Sequence, residues 1–151
     1  MRHGTGRGLT RRGCLALLAS TFAFPARAAS SQLSFEELYS KIGVLGLEFS
    51  ERVKALGGQT TRMTGFMAPP LRAESSFFVL SKIPMALCPF CSSDADWPED
   101  IVVVYLRKKQ TFVQYNAAIA VEGRLEYGSW TDPETGFVSL LRLRDAHFYT
   151  I

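Results

Sequence analysis

Two cysteines three positions apart, Cys88 and Cys91, are the residues of this chain best suited to chemistry. They stand in Pro84-Met85-Ala86-Leu87-Cys88-Pro89-Phe90-Cys91, and Ser92-Ser93-Asp94-Ala95-Asp96-Trp97-Pro98 follows. Such a pair can close a short disulfide, cycle between dithiol and disulfide, or offer two thiolates to a soft metal. Structural zinc takes four ligands and catalytic zinc three plus water, so two thiolates need help. Asp94, Asp96 and Glu99 are near in sequence, and His147 is the only histidine apart from His3. A second C-x-x-C from another copy of the chain would also complete a four-sulfur site. A lone histidine is more often packed or hydrogen-bonded than a ligand, so His147 carries both readings.

Cys-Pro-x-Cys also occurs in thioredoxin-like oxidoreductases, where a long helix begins at the first cysteine and its dipole lowers the thiol pKa. Here Pro98 arrives seven residues after Cys91 and a strand-like run begins at Ile101. That leaves room for about one helical turn. A third reading is a structural disulfide stapling the loop, favoured by an oxidising compartment. The ring is short, so its entropic contribution is small and its strain keeps it reducible.

The start of the chain indicates that compartment. Thr10-Arg11-Arg12-Gly13-Cys14-Leu15 sets two arginines ahead of an apolar run over 14–24, and Pro25-Ala26-Arg27-Ala28-Ala29 offers an A-x-A-like cleavage site. Residues 1–28 read as a twin-arginine signal peptide, with Cys14 where that consensus has Phe, so Sec export stays open. The expected location is periplasmic or secreted. The apolar run is too short to span a bilayer, and no later segment qualifies.

The leader also distorts the charge. It holds Arg2, Arg7, Arg11, Arg12 and Arg27 and no acidic residue; setting those five aside leaves 12 of the 17 basic residues against all 14 acidic ones, a net charge near −2. A mildly acidic module lacks the basic footprint that nucleic-acid binding requires. No Ser-His-Asp set, P-loop, dinucleotide fingerprint or H-E-x-x-H is present, which argues against the familiar hydrolase and nucleotide-binding classes.

Three segments follow from periodicity: the leader at 1–28, a helical segment at 29–58 and a small β-barrel domain at 59–151. Ser34-Phe35-Glu36-Glu37 is a capping box, and Phe35, Leu38, Tyr39, Ile42, Leu45, Phe49, Val53 and Leu56 recur near a 3.6 spacing. Gly43 and Gly46 weaken that helix and Gly57-Gly58 ends it. Strands are expected over 60–67, 77–81, 101–106, 118–127 and 138–143, the last with an extension towards Phe148. The run Ile101-Val102-Val103-Val104-Tyr105 indicates burial on both sides. Gly65 and Gly123 fall inside strands, as where a small barrel must bend. The fold class is mainly β with an N-terminal helix, an OB-like Greek-key barrel, with a β-sandwich as the alternative. Trp97 and Trp130 flank turns, where they cover a barrel end or line a ligand surface.

From Leu56 onward the chain resembles an exported bacterial family of unknown function. The matching residues are Leu56-Gly57-Gly58, Met63-Thr64-Gly65-Phe66-Met67-Ala68-Pro69-Pro70-Leu71, Phe77-Phe78-Val79-Leu80, the segment from Pro84 through Cys91, Trp97-Pro98-Glu99-Asp100-Ile101 and Val121-Glu122-Gly123-Arg124-Leu125. Members are often encoded beside ABC transporter components, in some cases in zinc-responsive gene sets. The resemblance implies a periplasmic accessory role in metal homeostasis, zinc first, with an ABC transporter or other envelope protein as partner. It supplies no catalytic residue.

The leading expectation is therefore a non-enzymatic accessory protein whose Cys88, Cys91, Asp94, Asp96 and His147 bind or sense a soft divalent metal. The alternatives are a thiol–disulfide redox protein attacking through Cys88, and an envelope interaction module with a structural disulfide.

Overall fold

The computed structural model describes residues 30–43, 46–69, 76–86 and 97–151; the leader and the tip of the cysteine loop lie outside these. In chain order the elements are β1 (Ser31–Gln32), a 3₁₀ turn (Phe35–Glu37), β2 (Tyr39–Gly43), β3 (Gly46–Phe49), α1 (Glu51–Leu56), β4 (Thr60–Met67), β5 (Phe77–Ser81), β6 (Ile101–Leu106), β7 (Ala118–Thr131) and β8 (Val138–Thr150).

The chain is mainly β. One sheet of six strands runs β1-β4-β5-β6-β8-β7, and β2 and β3 form a separate hairpin. Strand β4 pairs twice over: residues 60–66 lie against β7, while Phe66 and Met67 lie against Ser81 and Leu80 of β5. The pairings of β4, β5, β6, β8 and β7 thus return to their starting strand. All are antiparallel except β6 with β8.

The core follows from strand periodicity. In β4 the residues Thr61, Met63, Gly65 and Met67 are buried, alternating with exposed or half-buried neighbours. Strands β5 and β6 are buried on both faces from Phe77 to Ser81 and from Ile101 to Tyr105, as the continuous apolar runs require. Phe78 meets Phe148 edge to face at 5.4 Å, joining β5 to β8 across the interior.

The helix expected across 29–58 is not formed as one element. The capping residues do act, since the Glu37 carboxylate accepts the Ser34 N–H at 2.9 Å, but they cap a single 3₁₀ turn. The chain then enters the β2–β3 hairpin, with Gly46 at φ +104°, a conformation closed to a helix. Two glycines cost such a helix about 1 kcal/mol each. The hairpin instead stacks Tyr39 on Phe49 at 5.6 Å and brings Phe49 to Tyr127 of β7 at 5.3 Å. Helix is confined to Glu51–Leu56, capped by Ser50 Oγ accepting the Val53 N–H at 3.1 Å, with Val53 and Leu56 buried. Strands β7 and β8 also run further than the sequence indicates, to Thr131 and Thr150.

Two glycines inside strands are required by backbone approach. A Cβ on Gly65 would lie 2.6 Å from the Ser81 carbonyl oxygen, and one on Gly123 would lie 2.8 Å from Ala146 Cβ. Gly65→Ala and Gly123→Ala should each lower stability by about 1–3 kcal/mol, because rigid backbone and packed core cannot yield. Urea unfolding checks this, and an unchanged midpoint would show that the seam is looser than its distances indicate.

Candidate functional site

The cysteine loop leaves β5 at Ser81 and returns to β6 at Ile101, two residues that pair directly. Cys88, Cys91, Asp94 and Asp96 lie outside the described residues, so the site is built here from its two feet. The Lys82 N–H donates to the Asp100 carbonyl at 3.0 Å, extending the ladder one step past the strands. The fully buried Ser81 hydroxyl lies 2.8 Å from the Ile83 carbonyl oxygen and 3.2 Å from that of Phe66, so it holds the departing chain against β4. On the return side Trp97 is 9 % exposed, and its Nε1–H donates to the Tyr39 hydroxyl at 3.0 Å.

These contacts make a fixed base at the feet of the loop. Phe35, Glu36, Tyr39, Lys82, Glu99 and Asp100 line a pocket of about 120 Å³ there. Lys82 Nζ is 2.9 Å from Glu36 Oε1. Its hydrogen bond holds the Glu36 carboxyl down at about 2 even though the group is exposed. Burial pushes the Tyr39 phenol up to about 12, and nearby Glu99 adds to the shift, outweighing the opposing Trp97 hydrogen bond. The base is therefore acidic, with Glu99 and Asp100 beside a neutral phenol. Among the described residues no group of three His, Cys, Asp or Glu side chains is placed to hold a metal.

His147 stands elsewhere. It is half-buried on β8 opposite Glu122 of β7, its ring 6.4 Å from that of Tyr149. Leu106 pairs with Ala146, and the Arg107 N–H donates to the Ala146 carbonyl, so His147 is level with the far end of β6. Six residues of strand, roughly 20 Å, separate that level from Ile101 at the loop's feet.

A second constellation, unremarked in the sequence reading apart from Trp130, occupies that far end. Arg142 and Arg144 lie two apart on β8 and so share a face, while Leu141 and Leu143 point into the core. The Arg144 guanidinium carbon is 4.9 Å from the Tyr105 ring centroid and 4.6 Å from that of Trp130; Arg142 covers Trp130 at 5.2 Å. Arg142 is 7 % exposed and spends its donors on Glu126 Oε2 at 3.0 Å and the Gly128 carbonyl at 2.9 Å. The signal available in the sequence was the alternation Leu141-Arg142-Leu143-Arg144, two cations on the outer face of a strand with a core-forming inner face.

Known proteins were compared with this architecture. No protein-family model and no curated protein sequence matches the chain. One solved structure that resembles it is a DUF3299-family protein from Pseudomonas aeruginosa PAO1, with a TM-score of 0.54 and 15 % identity, over 82 % of this chain and 97 % of that one. The likeness is one of fold, shared with a member of a bacterial domain-of-unknown-function family. No described helix is long and apolar enough to cross a membrane.

The base of the loop makes a prediction about pH. The Glu36 carboxyl should titrate near 2 by NMR and return towards the ordinary carboxylate value of 4.5 in Lys82→Met. Burial raises the folded Tyr39 phenol from its ordinary 10.0 to about 12, so its contribution to stability is complete below pH 10 and is lost as pH rises through about 12. Tyrosinate absorbance should show Tyr39 ionising late; a Tyr39→Phe protein with unchanged alkaline unfolding would contradict this.

Proposed function

We propose that the chain is an exported, periplasmic accessory protein on an OB-like Greek-key barrel, binding or sensing a soft divalent metal through the Cys88/Cys91 loop. The circuit β4-β5-β6-β8-β7-β4, antiparallel except for β6 with β8, supports the barrel reading, since five strands closed in that order form a small Greek-key barrel. The observation that carries the functional reading is the anchoring of the loop's feet by the Lys82–Asp100 ladder bond and the Trp97–Tyr39 hydrogen bond. Feet fixed in this way lower the entropy lost when a loop orders around a ligand.

The donor chemistry fits a soft cation. Cys88 and Cys91 would supply two thiolates, and Asp94 and Asp96, within the same loop, would supply the nearest oxygens. Glu99 and Asp100 add negative potential at the base, which favours cation approach. His147 stands level with the opposite end of β6, so we assign it an auxiliary role at most. A metal, when bound, would hold the thiolates ionised and make affinity fall as pH drops. The exposed Ile83 beside the loop, at 56 %, offers an apolar contact for an envelope partner such as a transporter component.

Protein purified anaerobically under reducing conditions should retain about one zinc per chain or per pair of chains, the latter if two loops share a site. Cys88→Ser should lose it. A metal-free protein whose cysteine pair has an oxidoreductase-like potential and reduces insulin would instead establish the thiol–disulfide reading. Failure of both assays would leave a structural disulfide in an interaction module.

A further inference from the structure

The far end of the molecule carries a cleft of about 340 Å³ between β6, β7 and β8 and the turn that follows β7. Tyr105, Trp130, Asp132, Glu134 and Arg144 line it. Two of these groups lack what their chemistry requires. The Tyr105 hydroxyl belongs to a residue only 9 % exposed and makes no hydrogen bond of ordinary geometry, although the Asp132 carboxylate is near enough to act on it. Leaving such a group unpaired is costly, and natural structures rarely tolerate it without a use. The Arg144 guanidinium is held by two aromatic faces, yet its nearest carboxylate among the described residues, Glu126 Oε2, is 3.9 Å from Nε. Its fork of donors is thus positioned by stacking and, being about a third exposed, stays open to an incoming group.

Backbone strain lies at the same place. Asp145 has φ +52°, the left-handed region, and is the only described non-glycine residue there. On β8 the pairing slips at this point, with Arg144 opposite Arg124 and His147 opposite Glu122, so one extra residue bulges from the strand. A bulge bends its strand and re-aims the neighbouring side chain, here Arg144.

The charges define what fits. Arg124 on the rim is taken by Glu126 at 3.0 Å and Asp145 at 3.3 Å. That leaves Arg144 facing Asp132 and Glu134. An oxyanion alone would meet two carboxylates with no cation paired to them among the described residues, Asp132 accepting the Glu134 N–H at 2.9 Å, and a cation alone would leave Arg144 unused. We propose that this cleft binds a small zwitterion, its oxyanion on Arg144 and the Tyr105 hydroxyl and its ammonium facing Asp132 and Glu134. Free amino acids and ethanolamine phosphate headgroups share that chemistry. The volume is at the small end of ligand sites and suits a molecule of that size. Burial, and the negative charge of Asp132 nearby, push the Tyr105 phenol upward, so it stays protonated and able to donate. The proposal is independent of the cysteine loop.

The test is an NMR titration of the purified protein, following the indole N–H resonances of its two tryptophans. The probes are glycine, L-serine, L-glutamate and O-phosphoethanolamine, with acetate and methylammonium as controls. At least one zwitterion should shift the Trp130 resonance saturably, with both controls at least about tenfold weaker. Amino acids binding in preference to phosphoethanolamine would identify a free metabolite, and the reverse order a lipid headgroup. Tyr105→Phe should weaken the zwitterion about tenfold with little change in melting temperature, since its hydroxyl makes no hydrogen bond of ordinary geometry within the protein. Arg144→Gln should abolish binding. Silence with every zwitterion up to the order of tens of millimolar, acetate binding as well as glycine, or full affinity in Tyr105→Phe would each overturn the proposal.

Discussion

The close approach of β4 to β5 at Gly65 and Ser81 is the constraint on which the rest of the structure turns. Strand β4 has to leave β7 and join β5 within one residue, because Phe66 pairs with Ala118 on one side and with Ser81 on the other. Only a residue without a side chain lets the Ser81 carbonyl come so near. Once it does, the Ser81 hydroxyl lies within hydrogen-bond distance of the Phe66 and Ile83 carbonyls, so the seam of the sheet and the exit of the cysteine loop share one buried residue. Fold closure and loop position are the same structural event.

The β5–β6 hairpin then separates two kinds of chemistry by its own length. Its connected end, at Ser81 and Ile101, carries the loop and an acidic base; its open end, at Phe77 and Tyr105, carries the stacked arginines. The arginines tolerate their partial burial for different reasons. Arg142 has a carboxylate and backbone carbonyls, which offset the cost of taking a guanidinium out of water. Arg144 has aromatic faces, which attract a cation without consuming its donors. The first arrangement is structural and closed. The second leaves capacity over.

Much of the six-stranded sheet was legible because burial on both faces writes itself as continuous apolar runs. Strands β4, β5 and β6 have the bounds that the runs at 60–67, 77–81 and 101–106 indicate. The region before β4 was misleading for a physical reason. Tyr39, Phe49, Val53 and Leu56 satisfy a helical spacing, yet Tyr39 and Phe49 meet across a hairpin while Val53 and Leu56 sit on a six-residue helix. Spacing records which residues are buried, not which element buries them, and the left-handed Gly46 decided between the two. The cysteine pair was legible as chemistry from its types alone. What surrounds it was not, because Tyr39 is 58 positions from Trp97 and nothing local links them.

The end of β8 shows why the arginine cleft escaped notice, and the reason bears on its meaning. Leu141 and Leu143 point inward, and so do Ala146 and Phe148, which have the opposite parity. A count of alternating residues loses phase between them, so the expected strand is firm only to Leu143, with an extension towards Phe148, short of the strand's actual end at Thr150. The phase is lost at Asp145, whose left-handed backbone inserts the extra residue opposite Gly123. That insertion has a cost, and an uninterrupted strand would have kept both the hydrophobic pattern and relaxed torsions. Sequences that break a local rule at one residue tend to do so where something other than folding is served. Here the break turns Arg144 over Tyr105 and Trp130, beside a buried hydroxyl that makes no hydrogen bond of ordinary geometry and has the Asp132 carboxylate close by.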